Sequence, residues 1–272
     1  MTADWFFAAL RHDRAVVLGS LALVVVLAWA WLLVGAGIDM EEMDMGGGRM
    51  MLMAPEWSPG YGLIVFAMWA VMMVAMMLPS AAPITLLVAG IARRRAAPEG
   101  LQPAGSSRGG ASGAGTALFV LGYLAVWLVF AAVATLLQWG LDEAGLLSDT
   151  MALANRVLAA AVLIAAGIYQ WTPLKEACLR HCRSPLAFLL FHWREGGLGA
   201  LTSGLGQGAY CLGCCWMLMA LLFVGGIMSL AWIAAIALLV LIEKTLPWGG
   251  WMGRITGVVL VAWGAVALAM AA

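Results

Sequence analysis

Residues 62–89 hold no charged side chain. As a helix rising 1.5 Å per residue, that run outreaches the roughly 30 Å hydrocarbon core of a bilayer. Comparable apolar runs recur along the chain, with the charges gathered between them. In hydrocarbon, backbone polar groups must pair within the protein, which only helices and closed barrels achieve. The runs lack the strict alternation of barrel strands, so helices remain. Composition agrees: 64% of residues are apolar and 10% charged, whereas a soluble domain is about half apolar. The expectation is an all-α polytopic membrane bundle, one integral-membrane domain over residues 1–272.

About seven spans are predicted, at 15–37, 62–89, 116–138, 151–171, 208–227, 230–243 and 255–271. The sixth is the shortest. The first follows Arg11 and Arg14, but its apolar run exceeds that of a signal peptide and no small-residue cleavage pattern follows, so an uncleaved helix is expected. With the N-terminus inside, all fourteen Lys and Arg residues except Arg49 and Arg156 fall on the inner side. That asymmetry predicts an N-in, C-out topology. The basic loops then reflect orientation in the lipid bilayer and need no nucleic-acid partner. Trp57, Trp139, Trp171 and Trp248 fit the interfacial belts.

The loops differ in character. Residues 38–61 form an outer Met/acid loop whose three consecutive glycines suggest mobility. Residues 90–115, rich in Ala, Gly, Pro and Ser, read as a flexible inner linker. The inner loop 172–207 is more ordered: Thr172 can cap a helix with Pro173 at its first position, ended by Pro185. A Gly-rich stretch, 196–208, leads into the fifth span. Pro79 is expected to kink or end the second span.

Three constellations are rich in soft ligands. The first is a pair of triplets, Cys178, His181, Cys182 and Cys211, Cys214, Cys215. Each falls at i, i+3 and i+4, on one face of a helix. Together they use all five cysteines of the chain. Such clusters suit a transition metal, a redox dithiol or, more simply, buried packing. On the expected topology both lie near the inner face, where thiols stay reduced. The second is a ladder on the second span, Met68, Met72 and Met76, widened by Met73 and Met77. Thioethers favour Cu(I), although methionine also fills gaps between helices. The third is the outer segment from Asp39 to Met53, with Met43 and Met45 among six methionines in fifteen residues. It suits metal capture or, alternatively, a solvated acidic loop. Glu243 and Lys244 close the sixth span; inside a bundle Glu243 becomes a functional candidate, paired with Lys244 or Arg156.

The segments MWAVMMVAMMLPS (68–80), YQWTPLKEACLRHCRSP (169–185) and CLGCCWMLM (211–219), with EK at 243–244, resemble a bacterial family described as predicted metal-binding integral membrane proteins. The likeness runs from about residue 55 to the C-terminus. It implicates Met68, Met72, Met76, Met77, Cys178, Cys182, Cys211, Cys214 and Cys215, while His181 and the outer cluster rest on the residues alone.

The expected function is Cu(I) handling in a bacterial inner membrane: collection at the outer loop, passage along the methionines and receipt by inner thiolates. A metal donor or acceptor protein is the implied partner. No nucleophile–base pair and no cofactor fingerprint argues for an enzyme, and no Walker A sequence supplies an ATP motor. A thiol–disulfide oxidoreductase and a structural subunit of a larger membrane complex are the alternatives.

Overall fold

The computed structural model describes residues 2–35, 41–44, 50–53, 57–96, 113–148, 151–184 and 196–271. Helix α1 spans Thr2–Leu33, followed by strands β1 (Glu41–Asp44) and β2 (Met50–Met53). Long helices α2 (Pro59–Ala96) and α3 (Gly113–Glu143) follow. Then come α4 (Arg156–Tyr169), α5 (Pro173–Arg183), α6 (Gly196–Ala220), the single turn α7 (Leu222–Gly225), α8 (Leu230–Thr245) and α9 (Gly249–Ala269).

The architecture is all-helical apart from the β1–β2 hairpin, whose antiparallel register sets Glu41 opposite Met53 and Asp44 opposite Met50. That hairpin crosses the outer loop, which the sequence reads as mobile. Five helical stretches are long and apolar enough to cross a membrane: 15–33, 59–91, 113–143, 196–225 and 249–269. A sixth candidate is α4 with α5, bent by 63° at their junction. The chain is therefore a multi-pass membrane protein with five or six candidate spans, where the sequence suggests about seven. The difference lies in 230–243, where α8 has 16 residues, and, where α4 and α5 are not taken as one span, in 151–171, where α4 has 14; both fall short of the roughly 20 that a span requires.

Of the two outcomes expected at Pro79, the structure excludes an end: helix α2 continues through Pro79 and on through Pro83. A proline removes one donor and crowds the preceding turn, which leaves the carbonyls of Ala75 and Pro79, four residues before each proline, without their amide partners. Within the same stretch the hydroxyls of Ser80 and Tyr123 both donate to the Met77 carbonyl, at 2.8 and 3.2 Å. The Gly-rich stretch 196–208 is helical and forms the start of α6. Its glycines are used for close approach: a Cβ at Gly204 would strike the backbone carbonyl of Phe119, and one at Gly122 would strike that of Leu201. Small residues that let backbones touch are the usual means of packing helices in lipid, and α3 with α6 is the most extensive pairing in the bundle.

Helix α4 begins at Asn155, whose side chain accepts from the amides of Val157 and Leu158 at 3.0 and 3.1 Å. It ends at Gln170–Trp171. Thr172 then caps α5 by accepting from the Lys175 amide, with Pro173 at the first position, as the sequence predicts. This cap turns the chain by 63° and brings α5 to lie along α6, so α5 is not a separate surface helix.

Candidate metal centre

The two cysteine triplets meet. Cys211, Cys214 and Cys215 project from one face of α6 and are buried, while Cys178 and Cys182 on α5 are half-buried against them. Cys182 Sγ lies 4.0 Å from Cys214 Sγ, and no disulfide forms among the five. From α2, Met77 Sδ approaches Cys215 Sγ to 4.0 Å. Three helices therefore place four sulfurs in two close pairs. The thiols of Cys214 and Cys215 both donate to the Cys211 carbonyl, at 3.1 and 2.9 Å.

Cys211 has two polar partners. Lys244 Nζ stands 2.8 Å from its sulfur and 3.3 Å from Ser80 Oγ. The Tyr123 hydroxyl lies 2.9 Å away. Lys244 and Tyr123 are themselves buried, so a counter-charge for a thiolate at Cys211 is already in place, and the Tyr123 hydroxyl stands between Cys211 and the Met77 carbonyl. Charges buried in a bundle normally require such partners. The composition of Glu243–Lys244 at the end of an apolar run was a signal for Lys244. Nothing in the sequence marked Tyr123 or Ser80.

Cys178 packs against α6 at Gly213, where an added Cβ would sit 2.7 Å from its sulfur. The Tyr169 hydroxyl donates to the Gly213 carbonyl, pinning the end of α4 to the same turn. His181 Nδ1 is 2.9 Å from the Ala177 carbonyl, and its ring stacks on Tyr210 at 4.2 Å.

Met68, Met72, Met76 and Met77 are all buried in the core that also holds Cys211, Cys214, Cys215 and Met219. Asp39 and Met45 lie outside the described residues, and Met43 is described only as a position on β1. Glu243 pairs neither with Lys244 nor with Arg156. It accepts from Lys175 Nζ at 2.7 Å in a buried ion pair, and Lys175 also donates to Gln170. The second carboxylate oxygen of Glu243 has no partner.

Among the described residues, no three His, Cys, Asp or Glu side chains stand as a ready-made metal cage. The close sulfur pairs nevertheless match metal bonding lengths. With metal–thiolate bonds of about 2.3 Å, an ion bridging sulfurs 4.0 Å apart subtends an angle of about 120°. The donors are thiols and a thioether, soft ligands of the kind that suit Cu(I), zinc or iron–sulfur centres.

Helices of membrane-crossing length around a buried cluster of thiols and a thioether define a multi-pass membrane protein with a soft-metal donor set. The chain belongs to the PpoB2 copper chaperone family, whose model matches residues 66–267. That match takes in all five cysteines, the methionine ladder and Lys244. No curated protein and no solved structure matches the chain.

Proposed function

We propose that this chain receives Cu(I) at the sulfur cluster between α2, α5 and α6 and passes it to an acceptor protein. Cys182 with Cys214 and Cys215 with Met77 are the ligand pairs, and Cys211, with Lys244 Nζ 2.8 Å from its sulfur, is a further thiol of the cluster. Met68, Met72 and Met76 are weak thioether stations along α2, and the outer segment with Asp39, Met43 and Met45 collects the ion. Cys178 borders the cluster and joins it after a small movement, while His181 is a reserve ligand that would first have to leave Tyr210. The proposed setting is a bacterial inner membrane with the N-terminus inside and the C-terminus outside, which puts the thiols at the inner face.

The observation that carries this reading is the meeting of sulfurs from three helices, at 4.0 Å in each pair, in a chain of the copper chaperone family. Copper here is cargo, and thioethers hold it loosely enough for stepwise exchange. The 4.0 Å approach of Cys182 and Cys214 also favours a second reading, a dithiol that closes to a disulfide under oxidation. Met77 beside Cys215 has no task in that reading.

The test is metal content by mass spectrometry on protein purified under reducing conditions from copper-fed cells. About one copper per chain, lost in Cys182→Ser and Cys214→Ser, is the expected result; metal-free wild-type protein that cycles between thiol and disulfide would replace this reading with the second.

A further inference from the structure

Met151 is the only residue other than glycine with a positive φ among the described residues, at 54°. It sits in the turn before α4, where its amide donates to the Ser148 carbonyl at 2.7 Å and the Ser148 amide donates to Ala152 at 2.8 Å. A turn of this shape needs a left-handed residue, and glycine or asparagine would adopt it with less strain. The chain instead spends backbone energy to place a methionine there. Strain held at one position directs attention to what its side chain does.

That side chain goes inward. Met151 is 4% exposed and belongs to the same core as Met68, Met72, Met73 and Met76. Its sulfur accepts from the Gln138 amide nitrogen at 3.3 Å. The Gln138 oxygen in turn accepts from Trp69 Nε1 at 2.7 Å. Trp69 precedes Met72 and Met73 by three and four residues, so these two flank it on α2. The hydrogen-bonded chain Trp69–Gln138–Met151 therefore ties a further buried thioether, on the turn between α3 and α4, to the part of α2 that carries Met72 and Met73. A thioether is only a weak acceptor, so the amide holds the sulfur in place without engaging it strongly.

We propose that Met151 is a further Cu(I) ligand, the outermost buried thioether of the column that leads to the thiol cluster. This rests on the copper-transfer reading above and adds a site on a different element, the turn between α3 and α4. A soft monovalent ion arriving from the hairpin side binds Met151 first and exchanges to the methionines of α2. The turn supplies a rigid mount, and Gln138 keeps the sulfur facing the column.

Silver(I), a soft monovalent stand-in for Cu(I), is the probe. Full-length protein carrying methyl-¹³C methionine in lipid nanodiscs is titrated with Ag(I), and the Met151 methyl signal is assigned by its loss in Met151→Leu. The expected result is a shift of that signal on Ag(I) addition, persisting in a variant with all five cysteines changed to serine. Met151→Leu should weaken the thioether-bound silver by about tenfold or more and leave the thiol-bound silver unchanged. If Met151→Leu does not fold, Met151→Gly, which relieves the strained backbone, provides the assignment. A Met151 signal that stays fixed while the thiols take up silver overturns this inference and leaves the copper reading standing. Thiols that take up no silver, with Met151 shifting, would overturn the thiol reading alone; neither responding overturns both.

Discussion

Replacing Lys175 with Met removes the counter-charge of a carboxylate that, among the described residues, has no other cation within bonding distance. At 2.7 Å and an effective dielectric of about 20, the pair attracts by about 6 kcal/mol. Dehydrating two ions costs several kcal/mol each, so the intact pair is close to neutral against apolar side chains of similar size. Removing one partner is different. Glu243 is left 2% exposed with one oxygen already lacking a partner, a situation that costs about 3–5 kcal/mol. Gln170 and Lys175 border an open cleft of about 270 Å³ that also exposes Arg180, Arg183 and Arg254. Water reaching through that cleft can partly solvate the orphaned carboxylate. The lower end, about 3 kcal/mol, is therefore expected, a more than hundredfold loss in the folded ratio. Glu243→Leu should cost a similar amount. The double variant Lys175→Met with Glu243→Leu should return to within about 1 kcal/mol of wild type, giving a coupling near 5 kcal/mol. Equilibrium unfolding in mixed micelles, followed by tryptophan fluorescence, measures all three. Single variants costing under about 1 kcal/mol, or a double variant as unstable as their sum, would refute the buried-pair argument.

Two other outcomes follow from the packing. Gly204→Val should separate α3 from α6 or prevent assembly, because the new side chain meets the Phe119 backbone and backbone cannot yield as a side-chain tip does; a loss of about 3 kcal/mol or more is expected in the same unfolding assay, and wild-type stability would contradict it. Met72→Leu with Met76→Leu should hold stability to within about 1.5 kcal/mol, since the swap conserves volume, yet slow copper delivery to the thiols in a stopped-flow transfer from a coloured Cu(I) chelator. Unchanged delivery would make these two methionines packing residues only.

The sequence alone determined what depends on local period and composition. Apolar run length specified membrane helices, because a backbone in lipid has no other partner for its polar groups. Thr172 and Pro173 specified the start of α5, since capping involves only the first turn. The offsets of the cysteines specified two single-faced triplets. What lay beyond the period of one helix was decided by tertiary packing. The 63° bend between α4 and α5 folds one triplet onto the other, and Gly122 against Leu201 with Gly204 against Phe119 lets α6 approach closely enough to seat against α3. His181 stacks on Tyr210, Lys175 rather than Lys244 or Arg156 took Glu243, and Lys244 went to Cys211. Each of these choices compares partners far apart in the chain. Their separation is set by side-chain shapes and helix crossings, quantities that a linear pattern of residue types does not contain.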